Sequence, residues 1–131
     1  MSQSILGRQL AKKRSSTVRQ YVPDVGDVVW LHFDPQLGHE QRGRRPALVL
    51  SPASYNAKTG LMLCCPMTHQ VKGYPFEVLI TQNPPSAVLA DQIKSLDWVH
   101  RQAAFKEKAA AELVGDVKRK IYALLGRPGA D

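Results

Sequence analysis

Residues 38–52 read GHEQRGRRPALVLSP and place a charged loop directly before an apolar strand. Pro46 disfavours the α region for the residue before it, so Arg45 is expected to be extended where the strand begins. Gly43 allows the chain to turn tightly just upstream. The run 47–50 contains only apolar residues and predicts a strand that is buried on both faces. The stretch therefore predicts a stiffly presented arginine at the mouth of a buried strand.

The charged loop combines an arginine with a carboxylate. A guanidinium held at Arg45 can form two parallel hydrogen bonds to a phosphate. Glu40 lies five residues earlier in the sequence and is able to fold back towards it. One interpretation is an anion-binding clamp beside a carboxylate, and the other is a solvated loop with an ordinary surface ion pair. The charge pattern alone leaves both open.

Short apolar runs predict four β-strands, at 28–33, 47–50, 61–65 and 76–80. Turn-forming residues separate them, including a turn at 55–60. Strands this short and this close together predict a mainly β fold organised as a small barrel.

A proline follows the third of these runs. Pro66 cannot donate a ladder hydrogen bond, so it predicts a sheet edge or a β-bulge at this point. The polar, basic loop that comes after it contains Thr68, His69, Gln70 and Lys72. This loop is a candidate to lie beside the charged loop, and a plain hairpin connection is the alternative.

The last third of the chain contains two helical patterns. Leu89, Ile93 and Leu96 recur at helical spacing within 88–98, and this periodicity favours a helix slightly over a strand. The tail is clearer, because six apolar residues form one stripe at helical spacing and Gly126 and Pro128 come after it. The stripe consists of Leu113, Val114, Val117, Ile121, Leu124 and Leu125.

Length and composition fit one globular domain. The chain has 131 residues, of which 44% are hydrophobic, and its apolar runs are shorter than the ~20 residues of a membrane helix. The net charge of +7 invites a nucleic-acid interpretation, but residues 1–20 alone carry five basic residues and no acidic one. We therefore predict a basic, flexible N-terminal arm at 1–20, a folded domain at 21–126 and a short tail at 127–131.

The two cysteines favour a reducing compartment. Cys64 and Cys65 are neighbours on a predicted strand, so their side chains should point to opposite faces, and a mutual disulfide is not expected. The N-terminal arm lacks the apolar core of a secretory signal, although an organellar transit peptide stays open. We expect a cytoplasmic protein. No cluster of His, Cys and carboxylate residues has the spacing of a zinc site.

Several runs of the sequence resemble one known family in matching order and at matching spacing. These runs are YVPDVGDVVWLHFDP, RRPALVLSP, YNAKTG, KGYPFEV and ADQIKS, and the similarity that they mark covers roughly residues 21–125. They are similar to the MazF/PemK family of toxin endoribonucleases. The resemblance implies an SH3-like small β-barrel with short helices and a C-terminal helix, and it implies a strand for ADQIKS where the periodicity favours a helix.

The family's activity and partners follow as expectations from the same resemblance. It implies a homodimer that cleaves single-stranded RNA without a metal or other cofactor. It also implies a MazE-like acidic antitoxin that neutralises the toxin.

The resemblance assigns catalytic roles by motif. Arg45, before the proline of the second strand, matches the family's catalytic arginine, and Thr68, after the third strand, matches its catalytic threonine. Glu40 matches a loop glutamate that is important in some members. Asp91 matches an aspartate proposed as general base in another branch, but the arginine that accompanies it there is Leu89 here.

Cleavage without metal uses the ribose 2′-OH as nucleophile, so the site needs a proton acceptor, a stabiliser of the pentavalent phosphorane and a proton donor. Arginine is a poor base because its pKa is above ~12. We therefore interpret Arg45 as the phosphorane stabiliser and a candidate proton donor, Thr68 as a hydrogen-bond donor to the phosphate, and Glu40 as the base. His69 is the rival acid or base. The expected ends are a 2′,3′-cyclic phosphate or 3′-phosphate and a 5′-hydroxyl.

Bases of single-stranded RNA expose their edges and faces to a protein, so residues bordering the two loops are candidates for recognition. Arg44 and His69 stand where family members often carry other residues, which points to a different sequence preference. For Phe33 a place in the core is the alternative, and Trp30 and Trp98 are assigned to the core or a dimer interface. The RNA-binding candidates are Phe33, Gln41, Arg44, His69, Lys72, Tyr74, Asp91 and Gln92.

Two other functions stay open at this point. One is a non-nuclease toxin on the same fold that binds a protein target such as gyrase, for which the residues Glu40, Arg45 and Thr68 would be unnecessary. The other is a basic RNA-binding module without activity, which leaves Pro46 without a role.

Overall fold

The computed structural model describes residues 20–33, 43–126 and 128. Within them an antiparallel sheet runs in the order β4-β5-β3-β2-β1-β7, with β6 pairing to β3. The strands are β1 (Asp27–His32), β2 (Arg44–Val49), β3 (Leu61–Thr68), β4 (Glu77–Gln82), β5 (Pro85–Leu89), β6 (Lys94–Asp97) and β7 (Ala104–Lys108). The helices are α1 (Ala53–Thr59) and α2 (Ala111–Leu125), and a 3-10 turn spans Ala90–Gln92.

The central strands carry apolar side chains on both faces, as their sequences predict. Val28, Leu48 and Cys65 belong to one core cluster, which α2 covers with Val117 and Ile121. The alternate residues Val29, Val49 and Cys64 belong to a second cluster that is built around Trp98. Full burial of such side chains stabilises a fold by about 1.5–3 kcal/mol each. The predictions of a mainly β fold and of a second strand buried on both faces are confirmed.

The two cysteine side chains lie in different core clusters, which confirms that they point to opposite faces of β3. Both thiols are free and buried. Burial raises the pKa of each thiol to about 12. They are therefore protonated and unreactive at neutral pH.

The third strand differs from its prediction at Pro66. It runs through the proline to Thr68, in regular register with β2, so there is no bulge at this position. On the other side of β3, pairing with β6 ends at Cys64↔Lys94 and pairing with β5 begins at Met67↔Val88. The missing N–H of Pro66 therefore falls in a gap between two partner strands, where no ladder bond is lost.

The segment 88–98 is not a helix, so the prediction from periodicity is wrong. β5 ends at Leu89, the 3-10 turn follows, and β6 begins at Lys94. Of the strand that the family resemblance implies for ADQIKS, only the last two residues, Lys94 and Ser95, therefore lie on a strand. The apolar residues of this segment recur at helix-like spacing because a tight turn joins two short strands. This arrangement packs Leu96 against the core and leaves Ile93 exposed.

Three other elements depart from the sequence prediction. The predicted turn at 55–60 belongs to α1, which Gly60 ends in the left-handed region with φ of 75°. β5 and β7 have no predicted counterpart. The C-terminal helix is confirmed, and the N–H of Gly126 closes it by donating to the Tyr122 carbonyl. Within the described residues, no helix is long and apolar enough to cross a membrane.

Candidate functional site

Arg45 lies near the start of β2, exposed and in extended backbone, as Pro46 predicts. It pairs with Leu31 of β1, while Pro46 pairs with Trp30. On its other side, β2 pairs with β3 through Ala47↔Pro66. Arg45 lies two residues before Ala47 on β2, and Thr68 lies two residues after Pro66 on β3, so both residues lie at the same end of this strand pair. The two predicted catalytic residues that the structure describes therefore occupy neighbouring strand ends.

An open groove of about 610 Å³ brings four of the predicted residues together. Arg44, Arg45, Thr68 and His69 all line it, beside Trp30 and Lys106. Its other lining residues are Pro46, Met67, Gln70, Ile80, Thr81, Ser86 and Glu107. We call this surface the cationic groove. The two loops that the sequence singles out thus reach one surface.

Hydroxyl groups of the cationic groove are oriented by the backbone around them. The Thr68 hydroxyl oxygen accepts a hydrogen bond from the Gln70 N–H at 3.0 Å, which leaves its own hydrogen free to donate. The Thr81 hydroxyl donates to the Pro84 carbonyl at 2.6 Å and lies 2.8 Å from the Ser86 hydroxyl. A phosphate in the groove would meet Thr68 as a donor.

His69 is held by one ring nitrogen. Its Nδ1 lies 3.2 Å from the Pro85 carbonyl oxygen. A carbonyl oxygen only accepts, so this contact requires the proton on Nδ1 and leaves Nε2 as the nitrogen that can exchange a proton. The geometry is compatible with His69 as an acid or base.

Trp30 and Lys106 form a stacked pair in the cationic groove. The Lys106 Nζ lies 5.5 Å from the centre of the Trp30 ring, and it contacts Glu107 Oε2 at 3.2 Å. Trp30 is half-buried rather than part of the core, so the core alternative is wrong for it and the dimer interface stays a prediction. Trp98 is a core residue, 5% exposed, and its indole N–H donates to the Asn56 carbonyl. The sequence missed Lys106 because it missed β7.

The loop after β3 is anchored by two carboxylates. Glu77 accepts hydrogen bonds from the backbone N–H groups of Lys72 at 2.9 Å and Gly73 at 2.6 Å. The Tyr74 hydroxyl donates to Asp91 Oδ1 at 2.9 Å, and burial together with this bond raises the pKa of Tyr74 to about 12. Of these residues, sequence reasoning missed Glu77.

The remaining candidates lie outside the cationic groove or outside the described residues. Lys72, Tyr74, Asp91 and Gln92 do not line the groove. Phe33 packs against the core cluster around Trp98, in agreement with its core alternative, and its carbonyl accepts a hydrogen bond from Arg101. Glu40 and Gln41 fall in the range 34–42, outside the described residues.

The side chains of the cationic groove suit a polyanion. Guanidinium, ammonium, hydroxyl and imidazole groups bind phosphate oxygens and can exchange protons with them. Across residues 20–33 and 43–126, no three His, Cys, Asp or Glu side chains are close enough to hold a metal ion. The side chains of the groove offer hydrogen bonds and proton transfer to an anion bound there.

Comparison with known proteins places this groove within a family. A family model described as the PemK-like, MazF-like toxin of type II toxin–antitoxin systems matches residues 24–125, which include every residue lining the groove. The chain belongs to this toxin family. Endoribonuclease toxin MazF of Escherichia coli K12, a relative named within the family, is 52% identical over 110 residues, which are 83% of this chain and 99% of that protein.

Crystal structures related to this PemK/MazF-like toxin agree with the fold. MazF from Deinococcus radiodurans (Form-I) is 54% identical, with a TM-score of 0.72 over 82% of this chain and 100% of that chain. The MazE–MazF structure from the same organism (Form-II) matches at 48% identity and a TM-score of 0.72, over 83% of this chain and 100% of that one. The SH3-like barrel that the sequence resemblance implies is thus the fold of this toxin.

Proposed function

We propose that this toxin is an endoribonuclease that cleaves single-stranded messenger RNA in the cationic groove and so inhibits translation and growth. The observation that carries the proposal is that Arg45 and Thr68, at the same end of β2 and β3, line one open groove together with further cationic side chains. The endoribonuclease name of the E. coli relative, which aligns over nearly its whole length, supports the same activity. The proposed compartment is the cytoplasm, where the substrate is found.

The proposed chemistry proceeds through the 2′-OH of the RNA. A base removes the 2′-hydroxyl proton, the 2′-oxygen attacks phosphorus, and the bond from phosphorus to the 5′-oxygen breaks as that oxygen takes up a proton. Arg45 stabilises the negative charge of the phosphorane, and Thr68 donates a hydrogen bond to a phosphate oxygen. Glu40 is the proposed base, and His69, through Nε2, is its rival.

The products test this mechanism without knowledge of the cleavage sequence. Purified protein is incubated with a long transcript in excess EDTA, and the fragment ends are mapped. We expect discrete fragments with 2′,3′-cyclic phosphate or 3′-phosphate ends and 5′-hydroxyl ends. Fragments with 5′-phosphates, or loss of activity on chelation, contradict the mechanism. Absence of any fragment favours a non-nuclease toxin that binds a protein target such as gyrase.

An acidic antitoxin is the proposed regulator of a toxin homodimer. A negatively charged, extended peptide laid along the cationic groove would compete with RNA for the same cations. The MazE–MazF structure from D. radiodurans supports such a partner. Titrating the cognate antitoxin against bound, uncleavable RNA tests it, because simultaneous binding of both ligands excludes a shared groove.

The candidates outside the groove are proposed to extend the RNA-binding surface. Lys72 would contact a phosphate, and Tyr74 would stack on a base while Asp91 holds its hydroxyl. Gln41, Gln92 and Phe33 complete the proposed set. Single alanine variants that leave both the cleavage rate and the cleaved sequence unchanged would remove these residues from the site.

A further inference from the structure

His32 and Arg44 form a cross-strand pair with two unusual atoms. They lie directly opposite each other on β1 and β2, at the end of the cationic groove where Arg44 contributes to its lining. His32 is only 6% exposed. His32 Nδ1 and Arg44 Nε are both buried, and neither has a hydrogen-bond partner among the described residues.

The backbone of His32 is fixed from a third segment. Its N–H donates to the Arg101 carbonyl at 3.1 Å, and its carbonyl accepts from Arg101 Nη1 at 3.2 Å. Side chains of directly opposite residues in an antiparallel pair project to the same face, with Cβ atoms about 4.5–5.5 Å apart. The imidazole is therefore held beside the Arg44 side chain.

The two unpartnered atoms are complementary in their chemistry. The Arg44 Nε–H only donates, whereas the His32 Nδ1 accepts when the ring proton is on Nε2. A buried polar atom without a partner costs free energy, so both atoms are expected to be satisfied in the working state of the protein. Because the two residues are directly opposite each other, each atom is the candidate partner of the other.

We propose that His32 is a positioning residue for Arg44: in the RNA-bound state its Nδ1 accepts a hydrogen bond from the Arg44 Nε–H and turns the guanidinium's terminal amines towards a phosphate in the cationic groove. The proposal rests on the proposed function of the groove. It assigns to His32 no contact with RNA. Arg44 is then a preorganised phosphate fork, and loss of His32 lets it rotate away.

The test uses the full chain and a fluorescein-labelled 2′-O-methyl RNA, which cannot be cleaved. His32→Phe removes the acceptor and keeps an aromatic ring, whereas His32→Asn keeps an acceptor near the Nδ1 position. Arg44→Met removes the fork, and the double variant completes a cycle. Dissociation constants are measured by anisotropy over a range of salt concentrations.

We expect His32→Phe to weaken binding roughly tenfold, the scale of one hydrogen bond to a charged group. Its salt slope should fall by about 0.7, as expected on loss of one phosphate contact to a single strand. Arg44→Met should weaken binding and lower the salt slope by the same amounts. In the Arg44→Met background, His32→Phe should not weaken binding further. His32→Asn should bind RNA nearly as tightly as the wild type.

Other results overturn the proposal. If His32→Phe and Arg44→Met weaken binding independently, or if His32→Phe leaves the salt slope unchanged, His32 does not act through Arg44. Should His32→Phe not fold, the imidazole ¹⁵N spectrum of the wild type decides, because the His32 Nδ1 signal must shift on RNA binding and must not shift in Arg44→Met. If the wild type binds the probe and shows this coupling but does not cleave unmodified RNA, the proposed cleavage activity is contradicted and the role of His32 is not.

Discussion

Two charged clusters of this toxin use their charges in opposite ways. In the Asp27 cluster, which we define as Tyr21, Asp24, Asp27 and Lys108, the buried carboxylate of Asp27 is bonded through both oxygens. Its Oδ2 accepts from the Tyr21 hydroxyl at 2.5 Å and the Asp24 N–H at 3.0 Å, and its Oδ1 accepts from Lys108 Nζ at 2.9 Å. Burial and this contact with Asp27 raise the pKa of Tyr21 above its ordinary value.

The cationic groove has the reverse arrangement. Neither Arg44 nor Arg45 forms an ion pair with another described residue, and Lys106 contacts only the neighbouring Glu107. A buried charge depends on its partners within the protein, because removing one of them is destabilising, whereas a charge without such partners is available to a ligand. The comparison indicates that the Asp27 cluster maintains the fold and that the cations of the groove are available to a ligand.

Loss of the exposed guanidinium of the cationic groove should have the largest effect, and it should separate a role in cleavage from a role in stability. Arg45→Ala is expected to lower the RNA cleavage rate about a hundredfold or more, the scale for removing one preorganised donor to a developing anion. Unfolding in urea should be unchanged, because the side chain is exposed. Arg119→Ala, an exposed arginine of α2 that pairs with Asp116, is the matched control and should cleave as wild type. A folded Arg45→Ala protein with normal activity removes Arg45 from the site.

The Asp27 cluster should respond to substitution in stability alone. Asp27→Ala leaves the Tyr21 hydroxyl and the Asp24 N–H without their acceptor, and should lower the free energy of unfolding by about 2 kcal/mol. Asp116→Ala removes an exposed ion pair and should cost less than about 0.5 kcal/mol. Urea unfolding measures both. Cleavage per folded molecule should stay normal, and a large loss of activity in folded Asp27→Ala would contradict the division of roles.

A hydroxyl of the groove should contribute less than the guanidinium. Thr68→Val removes one neutral donor and keeps the side-chain shape, so the cleavage rate should fall about tenfold. Thr59→Val is the control, because its hydroxyl bonds to the Tyr55 carbonyl on the exposed side of α1. An equal rate for both variants would show that Thr68 does not contact the phosphate.

Acid should weaken the fold through Asp24. Hydrogen bonds from the N–H groups of Ala53 and Val25 lower the pKa of Asp24 below its ordinary 3.8. A carboxyl with a lowered folded-state pKa contributes stability above the ordinary value, and this contribution is lost as pH falls through the folded-state pKa. The free energy of unfolding of the wild type should therefore decrease below about pH 4, and Asp24→Asn should flatten that decrease. Parallel curves for both proteins would assign the acid sensitivity to other carboxyls.

The N-terminal arm should have the smallest effect. Deleting residues 1–20 removes five positive charges, which add only salt-sensitive, sequence-independent attraction to RNA. Cleavage positions should be unchanged, and rates should differ only at low salt. A changed set of cleavage sites would show that the arm reads bases.

Prediction from sequence succeeded where one local cause dominates. Pro46 and the apolar run after it determine β2, and the α2 stripe determines the last helix. It failed for β7, because four of the five residues in that strand are exposed and no apolar periodicity marks it. That strand is held by pairing with β1, a long-range contact that the sequence does not display.

The difference between local and long-range causes also explains which groove residues the sequence predicted. Arg45 and Thr68 were predicted because short motifs contain them, whereas Lys106 was missed because it lies on β7. His32 did leave a signal, as the one polar residue in the otherwise apolar run 28–33. Without knowledge of Arg44 opposite it, nothing in the sequence distinguishes that imidazole from an ordinary strand residue.

The register of β2 and β3 has a consequence for how this toxin loses activity on heating. Arg45 lies on β2 and Thr68 on β3, each two residues from the pair Ala47↔Pro66, and both strands continue from there into the core. Their backbone positions can therefore separate only when the central sheet itself opens. Loss of cleavage activity on heating should coincide with global unfolding. Protein that refolds on cooling should regain its full rate of RNA cleavage.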